Sequence, residues 1–131
     1  MCAIIHLDTG EFELSSAGHN PAFQTKKDGE LHMLRTKGTR LGERHDLEKL
    51  PEPLKGKLEK GDKLIFFTDG VQDIGPADEP IGNKGFKNFI SQNQTSSSQT
   101  TIEEFESSIY SLHQGRPLLD DVTVVVFEGR T

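Results

Sequence analysis

The chain has 131 residues, with 15 Lys plus Arg against 21 Asp plus Glu and a formal net charge of −6: enough for one domain or part of one, and without the basic footprint of a general nucleic-acid binder. Its densest apolar runs, Leu64–Phe67 and Val122–Phe127, are far too short to span a membrane, and Met1–Leu7 lacks the basic start and long apolar core of a signal peptide. A single cysteine, Cys2, excludes an internal disulfide framework and fits a reducing, cytoplasmic setting, while a hydrophobic fraction of 32% is low for a chain that buries a whole core of its own.

From the N-terminus, Ala3–Leu7 is a short apolar run, Asp8-Thr9-Gly10 supplies turn chemistry, and Glu11–Ser15 alternates Phe12 and Leu14 with Glu11 and Glu13. That pattern predicts a β-hairpin. Ala17-Gly18-His19-Asn20-Pro21 is a break. Ala22–Thr25 and Glu30–Leu34 flank Lys26-Lys27-Asp28-Gly29, and Asp-Gly between extended runs predicts a second hairpin. Gly38–Leu54 reads as loop, Gly56–Glu59 as a short strand and Lys60-Gly61-Asp62 as a turn. Lys55, Lys57, Lys60 and Lys63 alternate with Glu59 and Asp62, the pattern of a solvated hairpin.

Lys63–Thr68 is the sharpest strand, apolar on both faces and ended by Asp69-Gly70. Asp73–Pro80 reads as loop. Phe86, Phe89 and Ile90 stand at helical spacing in Asn83–Gln92, and Ile102, Phe105, Ile109 and Leu112 form an apolar stripe in Thr100–Gln114. The two helices are separated by the polar stretch Asn93–Gln99. Thr100 and Glu103 read as a capping box, with Gly115 and Pro117 as the stop. Val122–Phe127 is a second strand apolar on both faces. Strands of that kind belong to a sheet covered on both sides.

Asp69 ends one such strand and Asp120-Asp121 begins the other. If the two are antiparallel neighbours, the carboxylates meet at one edge of the sheet. Their mutual repulsion is relieved by a proton or by a hard divalent cation with oxygen ligands, to which the Gly70 carbonyl could add. The same residues also fit plain turn chemistry. His6, His19, His32, His45 and His113 show no zinc-ligand spacing with one another or with Cys2, and His19 fits either a turn or a base. No glycine-rich phosphate loop and no Gly-x-Ser-x-Gly turn occurs.

In order and spacing, Ala17-Gly18-His19-Asn20-Pro21, Lys60-Gly61-Asp62, Phe67-Thr68-Asp69-Gly70-Val71, Ile81-Gly82 and Asp120-Asp121-Val122-Thr123-Val124-Val125 together resemble the metal-dependent protein phosphatases of the phosphatase 2C type. The branch is the bacterial one of stage II sporulation and of alternative sigma-factor regulation. The resemblance implies an α+β fold, a four-layer α-β-β-α sandwich of antiparallel sheets with flanking helices. It implies hydrolysis of phosphoserine or phosphothreonine on a regulatory protein such as an anti-sigma factor antagonist. Two Mn²⁺ or Mg²⁺ ions would activate water for in-line attack on phosphorus. Asp69 and Asp120 take the places of metal-binding catalytic aspartates, Asp121 is the neighbouring candidate with the Gly70 carbonyl, and His19 and Asn20 belong to a matching segment.

The family's N-terminal half carries a Gly-Asp motif and a further Asp-Gly motif whose aspartate bridges the metals. Before Ala17 the acidic residues are only Asp8, Glu11 and Glu13, outside any such motif. Residues 1–131 therefore read as the C-terminal part of a phosphatase domain, inactive alone and prone to dimerise through open strand edges. The alternative is a non-catalytic interaction module derived from the same fold.

Overall fold

The computed structural model describes residues 1–43 and 51–130; His45 and part of the predicted 38–54 loop lie outside them. Both expected hairpins form. β1 (Cys2–Ile5) runs antiparallel to β2 (Glu11–Ser15), with Ile5 opposite Phe12. β3 (Ala22–Thr25) runs antiparallel to β4 (Leu31–Leu34), and Gly29 takes the positive φ of 98° that its turn requires. The strand expected at Gly56–Glu59 is instead β5 (Leu54–Lys57). It begins earlier because Leu54 pairs with Leu14 at the end of the β2 ladder, and it stops before Leu58, which turns into the core. Gly56 lies opposite Phe12; a Cβ there would stand 2.3 Å from Phe12 Cζ, so the ring occupies the space a side chain would need.

β6 (Lys63–Phe67) pairs with β3 on one side and with β7 (Val124–Glu128) on the other. The strands make two antiparallel sheets, β1-β2-β5 and β4-β3-β6-β7. Phe12, Leu14, Ala22, Leu58 and Leu64 pack between the sheets. On the outer face of the four-stranded sheet, Phe23, Ile65 and Phe67 pack against α1 (Gly82–Gln92) and α2 (Ser98–His113) through Phe86, Ile90 and Phe105. The Phe86 ring centroid is 4.7 Å from that of Phe67 and 5.5 Å from that of Phe105. Each fully buried aromatic or aliphatic side chain contributes about 1.5–3 kcal/mol by area, and β6 supplies them to both layers. The chain is thus α+β, a sheet-on-sheet sandwich with helices on one outer face.

Several expectations are corrected. β7 is an edge strand rather than a doubly covered one: Val124 and Val126 face the helices, but Val125 and Phe127 on the inner face are 41% and 40% exposed, lining an open groove with Met1 and Ala3. α2 is capped by Ser97, not Thr100; the Ser97 hydroxyl accepts from the Thr100 N–H, and Glu103 is engaged by Gln99 instead. Its buried face runs through Thr101, Phe105 and His113, with Ile109 against the core, while Leu112 points to solvent. The helix ends at His113, Gln114 having a left-handed φ of 48°.

The lysine-rich turn is not wholly solvated. Asp62 is 2% exposed and accepts from Lys26 Nζ at 2.7 Å and from the backbone N–H groups of Lys27 and Glu59. Burial pushes its carboxyl up, but these donors together outweigh burial and leave it below the ordinary aspartate value. Lys63 is also 2% exposed, and burial holds its ammonium below the ordinary lysine value against the opposing charge of Glu128. Among the described residues no helix is long and apolar enough to cross a membrane.

Candidate metal centre

Because β6 is antiparallel to both neighbours, the end of β6 lies beside the start of β3 and the start of β7. Three loops therefore meet at one end of the four-stranded sheet, carrying His19-Asn20, Asp69-Gly70 and Asp120-Asp121. The last ladder pair is Phe67 with Val124. One step further, the Thr68 N–H still donates to the Thr123 carbonyl at 3.0 Å. There the chain leaves the sheet in a 3-10 turn, Asp69–Asp73, in which the Val71 N–H donates to the Thr68 carbonyl at 3.2 Å. Val71 and Ile74, fully buried, anchor this turn against the helices. The turn overlaps the expected Asp73–Pro80 loop at Asp73; it is short and has no helical period to reveal it in the sequence.

Gly70 brings the two acidic loops together. A Cβ there would stand 2.4 Å from the Asp121 carbonyl oxygen and 3.3 Å from the Asp120 carbonyl carbon. Its φ is not in the positive range, so this glycine serves close approach rather than an unusual backbone angle. The Thr68 hydroxyl spans the same junction, donating to the Asp121 carbonyl at 3.1 Å and accepting from the Thr123 N–H at 2.9 Å. The Asp121 N–H in turn donates to Asp120 Oδ1 at 2.7 Å. Sequence reasoning saw Thr68 only as part of a motif. The signal available was a threonine at an N-cap position, but its hydroxyl does not cap the turn.

Asp69, Asp120 and Asp121 are all exposed, and none forms an ion pair with a described residue. Three carboxylates without basic partners on abutting loops are, in kind, donors for a hard divalent cation. In number they fall short: among the described residues no three His, Cys, Asp or Glu side chains converge closely enough to hold a metal. His19 is held as a turn residue. Its N–H donates to Ser16 Oγ at 2.9 Å, and its Nδ1 lies 3.0 Å from the Asn20 carbonyl. His19 also lines, with Phe66, Thr68, Thr123, Val125 and Phe127, a groove of about 260 Å³ between β1 and β7.

The Stage II sporulation protein E (SpoIIE) family model matches residues 1–130. The chain belongs to the SpoIIE family. Its similarity to phosphoserine phosphatase RsbU of Bacillus subtilis (strain 168) is 30% identity over 126 residues, covering 95% of this chain and 37% of RsbU. Protein IcfG of Synechocystis sp. is 24% identical over 123 residues, covering 93% of this chain and 19% of IcfG. This SpoIIE-family chain thus spans well under half the length of the curated relatives it matches. Among solved structures, the SiaA-PP2C domain of Pseudomonas aeruginosa superposes with a TM-score of 0.72 at 20% identity, over 92% of this chain and 47% of that one. The manganese-presoaked phosphatase domain of SpoIIE from Bacillus subtilis gives 0.70 at 20% identity, over 97% and 54%. The fold is that of the PP2C-type phosphatases, as the motifs implied.

Proposed function

We propose that this chain is the C-terminal part of a metal-dependent serine/threonine phosphatase domain acting on a phosphorylated regulatory protein, such as an anti-sigma factor antagonist, in the cytoplasm. The observation that carries the reading is the abutment of the Asp69-Gly70 and Asp120-Asp121 loops, within a chain 30% identical to a phosphoserine phosphatase. Asp69 and Asp120 would hold Mn²⁺ or Mg²⁺, with Asp121 and the Gly70 carbonyl as further oxygens. The bound ions supply Lewis acidity for transfer of the phosphoryl group to water. The chain's own work is to present carboxylate oxygens at one fixed end of the sheet. Gly70 and Thr68 hold the two loops in contact, and the hydrophobic layers beneath keep that end rigid.

Among the described residues no three candidate ligand side chains come together, which supports inactivity of the chain alone and at most a weakly held cation. It equally favours the second reading, a non-catalytic interaction module. The half-exposed inner face of β7 supports association with a second copy.

The test is phosphate release from a phosphoserine protein with Mn²⁺. The chain alone should run at background; joined to, or mixed with, the N-terminal half of such a domain, it should turn over. Asp69→Asn and Asp120→Asn should abolish the restored activity. No turnover in any combination would favour the interaction module, and chelator-insensitive turnover by the chain alone would overturn the mechanism.

A further inference from the structure

We propose that Thr68 is a positioning residue for the cation site: its hydroxyl replaces a missing main-chain acceptor and so fixes the Asp120-Asp121 loop against Asp69. This rests on the reading of Asp69 and Asp120 as ligands.

In the antiparallel ladder of β6 and β7, Thr68 and Thr123 are the next facing pair after Phe67 and Val124. A regular pair of this kind exchanges two main-chain bonds. One is made, from the Thr68 N–H to the Thr123 carbonyl. The other is not available, because the Thr68 carbonyl has turned away to accept from the Val71 N–H. That rotation swings Asp69 out of the sheet, and it would leave the Thr123 N–H without its ladder partner. The Thr68 hydroxyl takes over, accepting from Thr123 at 2.9 Å.

Having accepted there, the hydroxyl still has its one proton to give, and it gives it to the Asp121 carbonyl at 3.1 Å. The same Asp121 residue donates its N–H to Asp120 Oδ1. A short chain of bonds therefore runs from the residue before Asp69 to the carboxylate of Asp120. Threonine at the N-cap of a turn ordinarily bonds the turn's own N–H groups; this one makes no such bond. Its hydroxyl is committed wholly to the neighbouring strand. Serine supplies the same donor and acceptor; valine keeps the branched shape and removes both.

The experiment uses the full chain, titrated with Mn²⁺ and followed by electron paramagnetic resonance of the free ion. Hydrogen exchange of the Thr123 amide is measured in chelator. Groups that orient a metal's ligands in this way change its affinity by about 10–100-fold. Thr68→Val should weaken Mn²⁺ binding by about tenfold or more and make the Thr123 amide exchange faster, and Thr68→Ser should restore both. Thr68→Ala provides a second hydroxyl-free variant should valine prevent folding. Asp69→Asn separates the two claims. If it abolishes binding while folded Thr68→Val or Thr68→Ala binds Mn²⁺ as the parent does, the positioning role is overturned and the ligand assignment stands. If Mn²⁺ binding is absent in the parent, or unchanged in Asp69→Asn, the ligand assignment fails and takes the positioning role with it.

Discussion

Lys63 and Glu128 face each other across β6 and β7, and each reaches a different helix end. Lys63 Nζ donates to the carbonyls of Asn93 and Gln94 just past the end of α1, and Glu128 Oε2 accepts from the Ser98 N–H at 2.8 Å at the start of α2. A cation thus meets the negative end of one helix and an anion the positive end of the next. The Ser98 N–H is the main reason that the Glu128 carboxyl lies below the ordinary glutamate value. Lys63→Ala should destabilise the chain by about 1–3 kcal/mol, because it leaves two half-buried carbonyls without their donor. Glu128→Gln should cost about 1 kcal/mol. Urea titration of both single variants and the double variant measures the coupling, and strict additivity would show that the pair does not act as one clamp.

Asp62 makes a pH-dependent contribution of known sign. Its carboxyl titrates lower in the folded chain than in the unfolded one, where aspartate titrates near about 3.9. Its stabilisation is therefore fully present above that value and is lost as the pH falls through the lower, folded value. Asp62→Asn should cost about 1–3 kcal/mol at neutral pH, and the difference from the parent should shrink on acidification below about pH 4. Denaturation curves at pH 7 and pH 3 test this. An Asp62→Asn penalty that stayed constant would mean that the bonds from Lys26, Lys27 and Glu59 do not depend on the charge.

Gly70→Ala should force the acidic loops apart. The added methyl meets main-chain atoms of Asp121, which cannot swing aside as a flexible side chain would. Overpacking of this kind costs about 1–3 kcal/mol, read as a lowered thermal midpoint. In the completed phosphatase domain the loss of Mn²⁺-dependent turnover should exceed the loss of folded protein.

The open face of β7 should govern self-association. Phe127→Ser removes the largest apolar group from the half-exposed inner face and should convert dimers to monomers in light scattering, without loss of the helix-side core. A parent chain that stays monomeric at every concentration would count against association through this edge.

Much of this architecture was legible in the sequence because period and turn chemistry agreed. Phe12 and Leu14 alternate with charges, Asp28-Gly29 marks a hairpin, and Leu64–Phe67 is apolar on both faces because it truly lies between two layers. Val122–Phe127 looked the same, yet the edge position of β7 is set by which strands stand beside it, and local pattern carries no record of that. The helix cap was misplaced because Ser97 and Thr100 are both good caps, and tertiary contact between Ser98 and Glu128 selects the first. At the candidate site, Asp69, Gly70 and Asp120 were visible as motifs. The Thr68 hydroxyl bridge and the burial of Lys63 were not, since both depend on partners 30 or more residues away.

The switch between sheets at Leu58–Asp62 has a consequence for how the molecule assembles. β5 belongs to one sheet and β6, directly after it, to the other. Each sheet has one local hairpin, β1–β2 or β3–β4, which forms within about 1–10 μs. Neither sheet can grow further until the single segment Leu54–Phe67 arrives and docks on both hairpins, Lys57 against Glu11 and Ile65 against Phe23. Growth of both layers beyond their hairpins thus depends on one and the same segment. Closing such distant pairings is slow, typically milliseconds to seconds for sheet-dominated chains. Until that segment is in place, the end of β6 and the starts of β3 and β7 have no common frame, so the acidic loops come together only as the fold closes.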